Sequence, residues 1–185
     1  GNTAVPLVVD FHPIGGSMGA WRSGLPYPAV IDSEGVISAF PNGKPSPNMG
    51  NAWNVEGCCS AKVNGSAVDD VAFAKALVAD VQKVACIDPK RVYAVGFSMG
   101  GGMSHYLGCH AADVFAAIGP ASFDLLQQNV TGCNPSRPLS VIFWRGKNDN
   151  VVPYAGGHSA VVSGMAIDFL GAVPTFEKWA SLNKC

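Results

Sequence analysis

The residues able to do chemistry gather first at Gly96-Phe97-Ser98-Met99-Gly100, a G-x-S-x-G pattern. A serine hydroxyl is a weak nucleophile until a neighbouring base takes its proton, and this pattern is one way of presenting it. The glycines two residues before and after the serine let backbone segments approach where a Cβ would not fit. Val92, Tyr93, Ala94, Val95 and Phe97 form an apolar, β-favouring run before the turn, as expected of a strand covered on both faces. A helix beginning at Met99 points its first amides to where a negative oxygen would form. The expected chemistry is acyl transfer, with Ser98 attacking a carbonyl and the Met99 amide stabilising the oxyanion.

That chemistry needs a second donor, an acid and a base. The segment Val5–Phe11 reads as a buried strand running into His12-Pro13-Ile14-Gly15-Gly16-Ser17. Pro13 has no N–H, so the Ile14 amide is the expected second oxyanion donor, with Gly15 as the neighbouring alternative. A further strand, Ser140–Trp144, leads into Arg145-Gly146-Lys147-Asn148-Asp149, followed by Asn150-Val151-Val152-Pro153. Asp149 is the expected acid that orients a histidine, and Asp124, after the preceding strand, is its rival. Nucleophile-elbow enzymes place serine, acid and histidine in that chain order. His12, His105 and His110 precede Asp149. His12 reads as a loop brace, and His105 and His110 as packing or surface residues on a helix.

The elements that must position these groups alternate. Val36–Phe40 is a second strand, stopped by Pro41-Asn42-Gly43. A Pro/Gly/Asn-rich excursion from Lys44 to about Gly65 carries Trp53, which stands either under the loop or in a substrate cleft. Asp69-Asp70 open a helix on which Val71, Ala74, Val78, Val81 and Ala85 recur at helical spacing. The helix after Ser98 runs to about His110, Phe115–Gly119 is another strand, and Phe176–Ala180 a last short helix. Strand–helix alternation predicts an α/β architecture, a mostly parallel sheet with helices on both faces.

Composition narrows the class. One domain spanning 1–185 is expected, since 48% hydrophobic and only 14% charged residues suit a packed core. A net charge of −1 without a basic run disfavours nucleic acid as a partner. No apolar run is long enough to span a membrane. Cys58, Cys59, Cys86, Cys109, Cys133 and Cys185 show no C-x-x-C pair. Disulfides in an oxidising compartment are therefore expected rather than a zinc site. Asn64-Gly65-Ser66 and Asn129-Val130-Thr131 are glycosylation sequons that agree with secretion, whereas Pro135 disqualifies Asn134.

Taken together, the His12–Ser17 loop, Trp53-Asn54 ahead of Cys58-Cys59, Asp69–Phe73, the Gly96–Gly102 elbow and Asn148–Pro153 resemble the secreted fungal feruloyl esterases. These are grouped with acetylxylan esterases and polyhydroxybutyrate-depolymerase-like enzymes in the α/β-hydrolase fold, and the resemblance covers nearly the whole chain. It implies removal of hydroxycinnamoyl groups from feruloylated arabinoxylan or small aromatic esters, with no metal or organic cofactor. Trp53 would then stack on the aromatic acyl group. Acetylxylan or polyester hydrolysis is the alternative within the class, and carbohydrate binding without catalysis the alternative outside it. The resemblance also implies further strands before Val5 and a last strand bearing the catalytic histidine after the Phe176 helix. His158 follows Asp149 by 158 − 149 = 9 residues, too few for a helix and a strand between them. The general base is accordingly expected beyond Cys185, the domain being partial at both ends.

Overall fold

Burial alternates along the strand β1 (Val5–Phe11), and that alternation sets the layers. Leu7, Val9 and Phe11 are fully buried on one face, while Val8 and Asp10 line a cavity on the other. The computed structural model describes residues 3–46, 49–56, 58–59, 62–63, 66–159 and 167–185. After β1 come α1 (Met18–Gly24), α2 (Pro28–Ser33) and β2 (Ile37–Ala39). Short strands β3 (Lys44–Ser46), β4 (Gly50–Ala52), β5 (Lys62–Val63) and β6 (Ser66–Ala67) follow. The central units are α3 (Asp70–Val84), β7 (Ile87–Phe97), α4 (Met99–His110) and β8 (Ala117–Ala121). The chain continues through β9 (Ser140–Val141), β10 (Gly157–Ser159), β11 (Ile167–Phe169) and α5 (Ala172–Leu182).

Five strands form one parallel sheet in the order β2-β1-β7-β8-β9. Parallel neighbours need crossovers, and α1–α2, α3 and α4 supply three of them. The chain runs outward from β1 to β2, then returns to place β7 on the other side of β1. Strand order therefore reverses between β1 and β7, and the crevice beyond the carboxyl ends of such strands is where open α/β sheets bind ligands.

One sheet face packs against α4, whose Met103 and Leu107 are fully buried with Leu7, Val9, Val92, Ala94 and Ile118. Trp179 of α5 closes this core, donating its indole N–H to His105 Nδ1 at 3.1 Å. The other face looks toward α1 and α2. Asp69 caps α3 by accepting from the Ala72 amide at 2.8 Å, and Ala74 and Val78 point to the core as the helical spacing predicts.

Several element boundaries differ from expectation: β7 starts at Ile87 and the last helix spans Ala172–Leu182 rather than Phe176–Ala180. The Lys44–Gly65 excursion is not featureless, since β3 pairs with β4 and β5 with β6 as small antiparallel ladders. The Phe115–Gly119 strand begins two residues later, because Phe115 is spent on core packing. Ser140–Trp144 keeps sheet contact throughout, but only Ser140–Val141 is regular; Trp144 meets Ala121 through a single bridge.

Candidate active site

The elbow is built by backbone crowding. Ser98 has φ 54° and ψ −123°, a conformation that costs energy for any residue with a side chain. Its amide donates to the Ala121 carbonyl at 2.8 Å and its carbonyl accepts from Gly102 at 3.0 Å, so β8 and α4 hold it from both sides. A Cβ on Gly100 would collide with the Phe11 carbonyl oxygen, and one on Gly96 would lie 2.5 Å from Gly100 backbone atoms. These two glycines let β1, β7 and α4 meet beneath the serine.

Met99 is the first residue of α4, and an amide there has no acceptor within the helix. In the facing loop, the Gly15 amide donates to Asn51 O at 2.8 Å and the Gly16 amide to Pro13 O at 3.0 Å. Pro13 has no amide hydrogen, and Ile14 stands between it and the engaged Gly15. Ile14, Ser98, Met99 and Val152 line a single narrow cleft, with Cys58 and Cys59 in its wall.

Trp53 requires a correction. It is fully buried, packs edge-on to Phe11 with ring centroids 5.1 Å apart, and lies 4.8 Å from the His12 ring. Its indole N–H donates to His12 O at 2.9 Å. A side chain enclosed in this way cannot stack on a substrate; it braces the loop that carries Ile14. The Trp53 amide reaches Met99 Sδ at 3.2 Å, and the Asn54 amide reaches the buried Asp70 carboxylate at 2.6 Å. Burial raises the Asp70 pKa, while the Asn54 hydrogen bond opposes the rise. Asp70 thus ties α3 to the loop, beyond its place in the first turn.

The Asp149 loop is held by side-chain charge. One carboxylate oxygen accepts from the Val151 and Val152 amides, both at 2.9 Å, and the other from Arg145 Nη1 at 3.2 Å. Burial pushes the Asp149 carboxyl up, but these hydrogen bonds outweigh it and hold the group below the usual range. Arg145 is itself buried and donates Nε to Asp124 at 2.8 Å and Nη2 to Val152 O at 2.6 Å. Asp124 is wholly enclosed; burial raises its pKa and the Arg145 pairing only partly offsets that. The two rival aspartates are therefore joined by one guanidinium. Nothing in the motif spacing pointed to Arg145; the only signal was a charged residue directly after an apolar strand.

The histidines are engaged elsewhere. His12 Nε2 accepts from the Gly43 amide at 2.9 Å, so its Nδ1–H donates to Pro13 O at 2.7 Å. His105 accepts from Trp179 and donates Nε2–H to Phe123 O at 3.2 Å; burial lowers its pKa to about 3, so the ring is neutral. His110 ends α4 against the Tyr106 ring, and His158 lies 3.4 Å from Asp168 across the β10–β11 pair. Among the described residues, none of the four hydrogen-bonds to the Ser98 hydroxyl.

Cysteine pairing also departs from a framework using all six. Cys58–Cys59 and Cys109–Cys133 are disulfides, whereas Cys86 and Cys185 carry exposed thiols. Cys86 leads into β7 and Cys185 follows α5. Asn129 sits in a short 3-10 turn, and Asn64 lies outside the described residues.

Known proteins extend this geometry. The profile of the prolyl oligopeptidase family matches residues 26–131, more than half of the chain. Feruloyl esterase B of Piromyces equi is 46% identical over 187 residues, covering 100% of this chain and 34% of that protein. A probable feruloyl esterase C of Aspergillus clavatus is 33% identical over 162 residues, covering 84% of this chain and 53% of its own length. The chain thus spans between about a third and a half of the length of these relatives. Among solved structures, esterase PE8 superposes with a TM-score of 0.65 at 18% identity, over 97% of this chain and 79% of its own. The acetyl xylan esterase of Aspergillus awamori gives 0.51 at 22% identity, over 63% and 40%. With its parallel sheet, its serine elbow and this profile match, the chain belongs to the prolyl oligopeptidase family and has the α/β-hydrolase fold.

Proposed function

We propose that this chain is part of the catalytic domain of a serine esterase that hydrolyses hydroxycinnamoyl esters, such as feruloyl groups on arabinoxylan. The observation that carries the reading is the Ser98 elbow, whose residue shares one cleft with Ile14, Met99 and the Asp149 loop. The relatives named feruloyl esterases support the acyl group.

In this reading the Ser98 oxygen bonds to the ester carbonyl carbon while a histidine takes its proton. The Met99 and Ile14 amides hold the oxyanion, each such donor being worth about 3–4 kcal/mol in the transition state. The C–O bond to the sugar then breaks, and the imidazolium returns the proton to the departing alcohol. Water attacks the acyl-enzyme by the same route and releases the free acid. Asp149 holds the imidazole in the working tautomer. It suits this role better than Asp124 because its side chain is partly exposed, whereas Asp124 is sealed. In this reading the histidine comes from outside residues 1–185, since among the described residues none of the four within hydrogen-bonds to the Ser98 hydroxyl. The two cystines support secretion, and Asn129 is a site for glycan attachment.

A second reading has one support: a bifunctional acetylxylan esterase/xylanase of Neocallimastix patriciarum is 27% identical over 150 residues, covering 80% of this chain and 20% of its own. Acetyl groups would then be the preferred leaving acyl. Steady-state assay of the full-length protein on methyl ferulate and p-nitrophenyl acetate decides the matter. A higher kcat/KM on ferulate is expected. Preference for acetate supports the second reading, and turnover of neither ends both.

A further inference from the structure

Cys58 and Cys59 are neighbours in sequence and are joined to each other, with Cα atoms 3.7 Å apart. A cross-link stabilises mainly by closing a loop of unfolded chain, and one between adjacent residues closes almost none. The Cys109–Cys133 disulfide, by contrast, spans 24 residues and restrains the unfolded chain in the ordinary way. The Cys58–Cys59 bond therefore needs a local explanation, and its surroundings provide one. It forms part of the wall of the cleft that contains Ser98, together with Val152, Ile167 and Phe169. Cys59 is buried and Cys58 half-buried, so the pair is partly open to the cleft.

The pair is also held still. The amides of Cys58 and Cys59 both donate to Val55 O, at 3.0 and 3.2 Å, and Val55 is buried. The same short segment is anchored to the elbow through the Trp53 amide and Met99 Sδ. The disulfide is thus registered against the first residue of α4. Its sulfurs offer a polarizable, weakly hydrogen-bonding surface of the kind that packs well on aromatic rings.

We propose that the Cys58–Cys59 disulfide is a specificity-determining wall of the acyl site, packing against the flat aromatic acyl group of the ester. This rests on Ser98 being the nucleophile of an esterase. It assigns to the cystine the contact that the buried Trp53 cannot make.

The test compares full-length wild type with C58A/C59A and C58S/C59S, on methyl ferulate and p-nitrophenyl acetate. Losing a fitted apolar contact lowers kcat/KM about 10- to 100-fold for the substrate that uses it. The expected result is a fall in the ferulate-to-acetate ratio of about tenfold or more, carried mainly by KM for ferulate. The serine variant guards against a packing defect special to alanine. A ratio unchanged in either folded variant, or equal losses on both esters, overturns the proposal. Failure of wild type to turn over either ester would instead strike the esterase reading, so the two failures are distinguishable.

Discussion

The elbow and the acid loop sit at the carboxyl ends of β7 and β9, with β8 between them, yet they are fixed by different means. Ser98 is held by main chain: the Ala121 carbonyl, the Gly102 amide, and two glycines whose missing Cβ atoms let three elements touch. Asp149 is held by its own carboxylate, which takes the Val151 and Val152 amides and the Arg145 guanidinium, while Arg145 also reaches Asp124 and the Val152 carbonyl. Backbone packing tolerates no change of shape, whereas an ion-pair cluster tolerates shape change but no loss of charge. The first should respond to added volume and the second to neutralisation.

The largest effect is expected at the apex. Ser98→Ala removes the attacking oxygen without adding volume, so the fold should survive while turnover falls by more than about 10³-fold. Retention of more activity in a steady-state ester assay, with the folded state verified by circular dichroism, would remove Ser98 as nucleophile.

Next comes the acid. Asp149→Asn should lower kcat by up to about 10⁴-fold, the loss seen when a triad acid no longer fixes the tautomer. Asp124→Asn should cost far less activity, its effect passing only through Arg145. The opposite ranking would move the acid role to Asp124.

Arg145→Met probes the cluster as a structural device. It leaves Asp124 buried without its cation, and breaking a buried pair in this way costs about 3–5 kcal/mol. Denaturant unfolding should show that loss, and a change below about 1 kcal/mol, the range of an exposed ion pair, would mean that the cluster does not hold the loop.

The smallest expected effect is a pH dependence with opposite signs at the two regions. Asp10, beside the elbow on β1, is buried with one oxygen accepting from Trp21 Nε1 at 2.9 Å. Burial raises its pKa to about 6, against the Trp21 bond that lowers it. The folded state therefore binds the proton more tightly than the unfolded chain, and stability should fall as pH rises from about 4 to about 6, by on the order of 3 kcal/mol. Asp149 is depressed instead, so its contribution is present above the ordinary carboxylate range and lost as pH falls through its folded pKa. Asp10→Asn should flatten the decline between pH 4 and 6 in a series of denaturant melts. An unaltered slope would show that Asp10 does not titrate there.

Much of this was legible from local residues. Apolar runs placed β1 and the carboxyl half of β7, Asp69 placed the start of α3, and glycine spacing placed the turn at Ser98. The Ile14 assignment rested on the absence of an N–H at Pro13, and the structure places Ile14 in the lining of the cleft that contains Ser98. Trp53 was readable only as an aromatic near the site. Whether it faced substrate or core depended on Phe11 and His12, some 40 positions earlier in the chain, between which it packs.

The strand–turn–helix around Ser98 was determined by the sequence itself, because steric restriction and hydrophobic periodicity act over a few consecutive residues. Tertiary structure alone decided that one guanidinium joins Asp124 to Asp149, that Cys58 pairs with Cys59 beside the serine, and that Cys86 and Cys185 remain thiols. Ion pairs and cross-links depend on which distant residues the sheet order brings within a few ångströms. That order, with β7 inserted beside β1, is a property of the assembled sheet and of no single stretch within it.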